Sequence, residues 1–348
     1  MEQISTCRAA YLIPFIEVLR EIGTPVERML ASAKLPILLE EIPDEHISNI
    51  LMNEFIEDCA LKEGIGDLGW LGAKQYSDSI LSKDLLTILS SLPTVKSRLD
   101  RLATLCHRES SDMRIGIIQS GANSEVYCDY TETDKIVGLQ NFDWAQVMVL
   151  IQIVRSIMGN AWSPDTISFM SNFSVCNAAR EEQPNTRFVK NSNHTSITFP
   201  SHVLSKSAAL DLPIVSPKRL EDPNYEPSDY RYLLRPYLRE GALKLETFAE
   251  IIGRRPRTLQ RNFQEGGFSY SDLIETTRFE MAIEMLKNPA APLIEIAMNV
   301  GYENQSNFGR SFKRISGMSP GAYRRQMLEQ GHLATQKANS AQDRAARP

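Results

Sequence analysis

One spacing of residues occurs twice in this chain of 348 residues, in AEIIGRRPRTLQRNF (residues 249–263) and in AMNVGYENQSNFGRSF (residues 297–312). In each copy an alanine is followed four residues later by a glycine and then, after a short interval, by an apolar i, i+4 pair. The alanine lets two helices cross closely, the glycine supplies a turn position with positive φ, and the pair seats the second helix on the first. The repeat predicts two helix-turn-helix units. Their defining residues are Ala249, Gly253, Leu259 and Phe263, and Ala297, Gly301, Phe308 and Phe312.

The second helix of each unit is expected over about residues 256–264 and about residues 304–313, and its outward face suits DNA. Arginine matches the paired acceptors of guanine, glutamine and asparagine match adenine, and hydroxyls and further cations bind phosphates. The first face carries Arg257, Thr258, Gln260 and Arg261 after Arg254 and Arg255, and the second carries Gln305, Ser306, Asn307, Arg310, Lys313 and Arg314. The alternative is a solvated polar face on a helical bundle, and two basic, amide-rich copies favour DNA reading over it.

A helix that opens at Ser269 joins the two copies. Asp272 completes a capping box with Ser269, and Pro289 ends the apolar spacing. A last short helix is expected after the cap residue Ser319. A rigid helix over residues 269–287 would hold the two recognition helices in successive major grooves, about one helical turn or roughly 34 Å apart.

The segment from about Leu243 to Arg325 resembles, over its whole length, the double helix-turn-helix DNA-binding domain of the AraC/XylS family of bacterial transcription regulators. One departure is Arg255, where the family commonly has a serine that caps the first recognition helix. The lost cap implies a helix that frays or relies more on phosphate contacts. By position, the resemblance places base contacts at Arg257, Gln260, Arg261, Gln305, Ser306, Asn307 and Arg310. Phosphate contacts are then expected from Arg254, Arg255, Thr258, Lys313 and Arg314.

Charge is distributed unevenly along the chain. Residues 1–230 carry 20 Lys and Arg against 31 Asp and Glu, and residues 231–348 carry 18 against 12, so the net charges are −11 and +6. This asymmetry is expected when one domain meets a polyanion and the other does not. We predict a sensory domain over residues 1–210 that is also the candidate for dimerisation, a proline-rich linker over 211–230, a DNA-binding domain over 231–328 and a disordered polar tail over 329–348.

The first 210 residues mix helical and strand patterns. Apolar spacing near 3.6 predicts helices over residues 9–22, 47–63, 83–91, 95–106 and 143–159. Alternation and β-branched clusters predict strands over residues 113–118, 125–130, 166–170 and 195–199. The expected fold is an α/β N-terminal sensory domain, with helices and a small mixed sheet, followed by an all-α double helix-turn-helix domain. Residues 64–72 and 81–99 resemble the sensory domain named after the arabinose-binding domain, which implies effector binding or dimerisation.

Other patterns do not indicate a cofactor, metal or catalytic site. Residues 64–69 contain a literal GxGxxG, but a helical pattern precedes it where a dinucleotide fingerprint needs a strand, so a glycine-rich helix exit is favoured. The five histidines lack metal-ligand spacing, and no nucleophile or carboxylate pair lies at catalytic spacing. We therefore expect no cofactor, no metal and no enzyme activity. Trp70, Trp144 and Trp162 could line an effector pocket, but core packing is favoured.

The cellular location is predicted from what the chain lacks. Five scattered cysteines without close pairs argue against a disulfide framework and a zinc site, and favour a reducing cytoplasm. The opening residues show no secretory signal. The most apolar stretch, residues 144–158, is too short and too polar to span a bilayer.

The expected function is a sequence-specific, effector-responsive transcription activator. Its expected partners are double-stranded promoter or operator DNA, RNA polymerase, a small-molecule effector of unknown identity and a second copy in a homodimer, with no membrane. Two alternatives stay open: a regulator controlled by a protein partner, and an enzyme with a DNA-targeting domain. Thermal-shift screening tests the first, since a ligand of the native state raises the melting temperature. An activity screen tests the second.

Overall fold

The computed structural model describes residues 4–76, 80–130, 137–208, 230–241 and 243–329. The chain separates into two compact units, residues 1–229 and residues 230–348. The predicted linker up to residue 229 and the predicted tail from residue 330 lie outside the described part of the chain.

The first unit combines helices with small sheets. Its helices are α1 (Ile13–Glu21), α2 (Val26–Ser32), α3 (Asn49–Glu63), α4 (Leu68–Ala73), α5 (Lys83–Ser90), α6 (Val95–Leu105), α7 (Leu139–Met158) and α8 (Asn177–Glu182). Its strands are β1 (Thr6–Arg8), β2 (His46–Ser48), β3 (Met113–Ser120), β4 (Asn123–Tyr130), β5 (Thr166–Ser168), β6 (Arg187–Val189) and β7 (Thr195–Pro200). Short 3-10 segments, such as Ala9–Tyr11, connect some of these elements.

The larger sheet of the first unit is mixed, as predicted. Within the described residues its strand order is β3-β4-β7-β5-β6, and β1 pairs separately with β2. β5 lies parallel to β6, and the other pairings are antiparallel. On β4 the buried side chains Val126, Cys128 and Tyr130 alternate with more exposed ones. This period of two puts one face of the strand into the core.

Element boundaries differ from the sequence prediction where proline and glycine decide them. α1 begins at Ile13 rather than at residue 9, because Pro14 suits the first turn of a helix. α7 begins at Leu139 rather than at residue 143, after Gly138 in the left-handed conformation. The sequence prediction missed the short elements α2, α4, α8, β1, β2 and β6, since segments of three to seven residues show too little of a period.

Helix α7 lies at the centre of the first unit's core. Trp144 on α7 is buried, with its ring centroid 4.7 Å from that of Trp70 and 4.8 Å from that of Phe169. Trp162 is half-buried, 5.6 Å from the ring of Phe199. Core packing was the favoured interpretation of these tryptophans, and the structure confirms it.

The GxGxxG segment is a helix exit, as favoured. α3 precedes it, and Gly64 ends that helix with a φ of 68°. The N–H of Ile65 donates to the carbonyl of Ala60 at 2.8 Å. Glycine is needed here because other residues adopt this left-handed conformation at a cost.

The second unit consists, in its described residues, of helices joined by turns. Its helices are α9 (Tyr230–Glu240), α10 (Leu245–Ile251), α11 (Pro256–Glu265), α12 (Tyr270–Leu286), α13 (Leu293–Asn299), α14 (Gln305–Ser316) and α15 over residues 320–329. Helices are confirmed at the two positions where the sequence predicts recognition helices, as α11 and α14. The helix predicted to join the two copies is confirmed as α12. No helix in the described residues of either unit is long and apolar enough to cross a membrane.

Candidate nucleic-acid interface

The turn of the first helix-turn-helix unit, α10 and α11, is closed by glycine. Gly253 has a φ of 66°, and its N–H donates to the carbonyl of Glu250 at 3.1 Å. The next N–H, of Arg254, donates to the carbonyl of Ala249 at 2.8 Å. This pair of bonds is a Schellman motif, in which the repeated alanine is the outer acceptor. The predicted positive φ is confirmed.

The second helix-turn-helix unit, α13 and α14, repeats this turn. Gly301 has a φ of 79°, its N–H donates to Met298 at 2.9 Å, and that of Tyr302 donates to Ala297 at 2.9 Å. One difference separates the two turns. A Cβ on Gly301 would lie 2.1 Å from the carbonyl oxygen of Leu238 in α9, whereas a Cβ on Gly253 would meet nothing within 4 Å. The backbone of α9 therefore packs directly against the second turn.

The apolar pairs of the repeat anchor the recognition helices. Leu259 and Phe263 of α11 are buried, as are Phe308 and Phe312 of α14. Aromatic side chains from neighbouring helices surround each anchor. The ring of Tyr230 lies 5.2 Å from that of Phe263, and Phe279 on α12 lies 4.9 Å from Phe312. Tyr323 lies 5.3 Å from Phe312. Each recognition helix thus turns its apolar stripe inward and leaves its polar face to solvent.

The two recognition helices begin differently. Asn304 caps α14, because its Oδ1 accepts a hydrogen bond from the N–H of Asn307 at 2.9 Å. At the start of α11 the cap position is Arg255, whose side chain makes no capping hydrogen bond, and Pro256 follows in the first turn. The structure therefore confirms the sequence prediction that α11 begins without a side-chain cap. It leaves the first N–H groups of α11 without a side-chain acceptor.

The predicted contact residues of α11 lie on its solvent side. Arg257, Gln260 and Arg261 are exposed, and Arg261 Nε lies 3.6 Å from Glu265 Oε1. The predicted phosphate contacts fall at the entry to the helix. Arg255 is exposed, and Thr258 and Arg254 are half-buried.

The predicted contact residues of α14 form a second exposed face. Gln305, Ser306 and Arg310 are exposed, whereas Asn307 is half-buried. Asn307 Oδ1 accepts a hydrogen bond from Arg310 Nη2 at 2.6 Å, which orients the guanidinium over the first turn of the helix. Lys313 and Arg314 are exposed near the end of α14. Arg314 also forms an ion pair with Glu275 of α12, and a phosphate would have to compete with that carboxylate for it.

Helix α12 is fixed at its start by the predicted capping box. Ser269 Oγ accepts from the N–H of Asp272 at 3.1 Å, while the Ser269 N–H and hydroxyl donate to the Asp272 carboxylate at 2.8 and 2.7 Å. These donors lower the pKa of the Asp272 carboxyl below its usual value. At the same end the hydroxyl of Tyr270 donates to the carbonyl of Leu243 at 3.0 Å. The start of α12 is thus tied to the first helix-turn-helix unit.

Contacts between helices distant in sequence were not predicted. The Arg278 guanidinium of α12 lies 4.9 Å from the ring centroid of Tyr302, and the Tyr302 hydroxyl donates to Ser311 Oγ at 2.9 Å. Arg235 of α9 forms an ion pair with Glu284 of α12. α9 itself was missed, because Pro236 stands inside it where a proline usually ends a helix. The apolar spacing of Leu233, Leu234, Tyr237 and Leu238 was the available signal.

The sequence of this chain is similar to those of known transcription regulators. Residues 248–326 match a family model described as a helix-turn-helix domain. The chain is 25% identical over 338 residues to the HTH-type transcriptional regulator VirS of Mycobacterium tuberculosis, covering 93% of this chain and 98% of VirS. It is 32% identical over 80 residues to the ornithine utilization regulator of Pseudomonas aeruginosa, covering 23% of this chain and 24% of that protein. The structure of the transcriptional regulator CdpR from Pseudomonas aeruginosa aligns with 86% of this chain and 96% of its own, at 18% identity and a TM-score of 0.38.

The paired helix-turn-helix units, with a basic polar face on each recognition helix, and these relatives define a DNA-binding transcription regulator. Residues 248–326 thus contain a helix-turn-helix domain, and over most of its length the chain is similar to an HTH-type transcriptional regulator.

Proposed function

We propose that this regulator reads one operator with α11 and α14 in successive major grooves, and that an effector bound by the first unit controls its affinity for that operator. The observation that carries the proposal is the repeat. Each helix-turn-helix unit has the same glycine turn, the same buried apolar pair and an exposed face of arginine and amide side chains. The single helix α12 lies between the two helix-turn-helix units and contacts both of them, which supports a fixed spacing of the recognition helices.

The proposed division of labour follows from side-chain chemistry. Arg257, Gln260, Arg261, Gln305, Ser306, Asn307 and Arg310 would contact bases. Arg254, Arg255, Thr258, Lys313 and Arg314 would contact phosphates. Arginine and amide side chains distinguish base edges in the major groove, whereas a lysine near the backbone adds affinity without sequence information. Asn307 would also position Arg310, since it accepts a hydrogen bond from that guanidinium.

Replacing Gln260 or Arg310 by alanine should weaken operator binding by about 1–3 kcal/mol and relax the preference at one base position. Lys313→Ala should weaken binding to every sequence alike and reduce the salt slope by about one. The measurement is gel-shift titration of the full chain at several salt concentrations, on a duplex selected from a random library and on its single-position variants. Equal weakening of all duplexes by all three substitutions would overturn the base-reading assignment.

The remaining parts of the proposal concern partners and control. We propose activation of transcription through RNA polymerase, a homodimer as the binding form, and action in the cytoplasm without enzyme activity. The chain is similar to VirS over 93% of its length, which includes both compact units, and this supports the proposal that the two units work together as one regulator. An effector that controls DNA binding must bind the competent state more tightly than the other state, because equal affinity shifts no equilibrium.

Linkage fixes the test of effector control. An effector that raises operator affinity by some factor must itself bind more tightly, by the same factor, when the operator is present. We expect this reciprocity from calorimetric titration of the full chain with a ligand found by thermal-shift screening, with and without the selected duplex. Identical effector affinities in the two titrations would remove the effector from control of DNA binding. Failure of every small molecule to raise the melting temperature would instead favour control by a protein partner.

A further inference from the structure

The first unit contains an internal cavity of about 40 Å³ between α3, α7 and the β3–β4 hairpin. Its walls include Phe15 of α1, Met52 and Ile56 of α3, Met113 of β3 and Phe142 of α7. These side chains are buried, so the cavity belongs to the core of the unit. The sequence named no effector-binding residues and favoured core packing for the three tryptophans, and none of the three is among the described residues that line this cavity.

The lining is uncharged. Every described residue that lines the cavity is apolar, or is a cysteine, serine, tyrosine, asparagine or glutamine. A charged ligand would lose its hydration here without gaining an opposite charge on the wall, at a cost that grows with burial. Carboxylates that lie behind the wall are held by hydrogen bonds within the protein: Asp112 accepts from the hydroxyls of Ser5 and Ser110 at 2.7 and 3.1 Å, and Glu57 accepts from Asn141 Nδ2 at 2.8 Å. The chemistry of the wall therefore favours a neutral molecule.

Polar side chains of the wall hold partners within the protein. The Tyr76 hydroxyl donates to the carbonyl of Tyr11 at 2.9 Å, and the Tyr11 hydroxyl donates to Glu109 at 3.0 Å. Asn53 Nδ2 donates to the Asn49 carbonyl at 2.8 Å. These hydrogen bonds hold the side chains of the wall in place. A ligand therefore does not need to supply hydrogen-bond partners for these groups.

Gln146 differs from these residues. It lies on α7 and is 5% exposed, and its Oε1 is buried without a hydrogen-bond partner in the described part of the chain. Buried polar atoms are normally hydrogen-bonded, since leaving an acceptor unmade costs about 1–3 kcal/mol. A donor on a bound molecule would relieve that cost.

The present size of the cavity limits what enters without movement. About 10–15 Å³ holds one water and about 150 Å³ holds benzene, so 40 Å³ admits a few waters. Two methionines, Met52 and Met113, form part of the wall, and Met52 Sδ lies 3.5 Å from Cys7 Sγ. Methionine changes rotamer easily and fills gaps of variable shape. A molecule the size of a substituted benzene therefore needs a rearrangement of the wall, and Met52 and Met113 are the side chains that would move for it.

We infer that this cavity is the effector site, and that it binds an uncharged, mainly apolar small molecule whose one hydrogen-bond donor reaches Gln146 Oε1. The inference rests on the proposed effector response and names the chemical class of the effector. Amino acids, sugar phosphates and carboxylates are excluded as ligands of this cavity, because each carries a charge.

Two pairs of probes test the two features of the ligand. Phenol and toluene have the same number of heavy atoms and differ in a hydroxyl donor. Benzyl alcohol and benzylamine likewise match in size and differ in charge at pH 7, and benzoate adds an anion. The full chain is titrated with each probe while tryptophan fluorescence reports the melting of the first unit, which contains all three tryptophans. A probe that binds the native state raises the melting temperature, and at a fixed probe concentration the rise grows with the logarithm of its affinity, so a titration of each probe gives its dissociation constant.

We expect phenol to bind about tenfold more tightly than toluene, which corresponds to one hydrogen bond. Benzyl alcohol should bind at least roughly 100-fold more tightly than benzylamine or benzoate. Gln146→Leu should abolish the difference between phenol and toluene and leave the unit at least as stable, since it removes an unpaired acceptor. The matched control is Gln140→Leu on the same helix, a half-buried glutamine that does not line the cavity. It should leave the affinities for both probes unchanged.

Several results would overturn the inference. Tighter binding of benzylamine or benzoate than of benzyl alcohol would show that the ligand is charged. Equal affinities for phenol and toluene in the unsubstituted chain would remove the role of Gln146. No shift with any probe would show that the cavity is a packing gap. None of these results decides whether an effector controls the operator, because the calorimetric linkage experiment measures that control separately.

Discussion

Replacing Gly301 by alanine is expected to reduce the free energy of unfolding of the second helix-turn-helix unit by about 3–4 kcal/mol. The alanine would adopt a φ of 79°, which costs about 1–2 kcal/mol for a residue with a Cβ. Its Cβ would also lie 2.1 Å from the Leu238 carbonyl oxygen, so α9 would have to move. The measurement is hydrogen exchange of the full chain, which should show a loss of protection of about 100-fold or more in α13 and α14.

The first copy of the repeat supplies the control. Gly253→Ala carries the same φ strain but meets no atom within 4 Å, so it should cost about 1–2 kcal/mol. Asparagine tolerates the left-handed conformation, and Gly253→Asn should therefore be close to neutral. Gly301→Asn should remain costly, because its Cβ meets the same carbonyl oxygen. Equal losses for the two alanine variants would contradict the close approach of α9 to the second turn.

Replacing Glu109 by alanine is expected to destabilise the first unit by about 3–5 kcal/mol. Glu109 is fully buried and accepts hydrogen bonds from Arg8 Nη1 at 2.8 Å, from the Tyr11 hydroxyl at 3.0 Å and from the Ser82 hydroxyl at 2.7 Å. Without it the Arg8 guanidinium, which is 4% exposed, would lose its buried counter-charge. Removing one partner of a buried ion pair costs more than the pair contributes. Urea denaturation followed by tryptophan fluorescence of the full chain measures the loss.

Two variants separate the charge effect from general damage. Asp100→Ala breaks the half-exposed Lys96–Asp100 pair, whose N–O distance is 2.6 Å, and should cost no more than about 1 kcal/mol. The double variant Arg8→Met with Glu109→Leu removes both charges and should recover much of the loss, because no unpaired charge stays buried. A loss for Glu109→Ala as small as that for Asp100→Ala would contradict the proposed role of the buried pair.

Both recognition helices and α12 were predictable because their signals are local. A glycine after a helix, a serine three residues before an aspartate and an apolar i, i+4 pair each act within one or two turns of chain. The capping box of α12 at Ser269 and the uncapped start of α11 at Arg255 follow directly from such signals. The longer elements of the first unit were also predicted, because a helix such as α3 or a hairpin such as β3–β4 repeats its period often enough to be read.

The candidate site was only partly visible in the sequence. The contact residues are named by their position on a predicted helix, and the structure places them on exposed or half-buried faces of α11 and α14. The hydrogen bonds and ion pairs that these side chains form within the protein were not predicted. Arg310 is held by Asn307, and Arg314 is paired with Glu275 from α12, 39 positions away in the sequence. No local pattern reports a partner at that separation.

By itself, the sequence determined that this protein carries two helix-turn-helix units, where their turns fall and which faces are polar, since all three depend on neighbours along the chain. Only the tertiary structure decided that α9 forms despite Pro236. It alone decided that the Leu238 carbonyl of α9 lies close to Gly301 of the second turn, whereas Gly253 of the first turn has open space beside it. It also decided that a cavity with an uncharged lining lies beside α7, and that Gln146 Oε1 has no hydrogen-bond partner in the described part of the chain. These features depend on surfaces that meet only after folding, because burial and close packing are properties of residues brought together from distant parts of the chain.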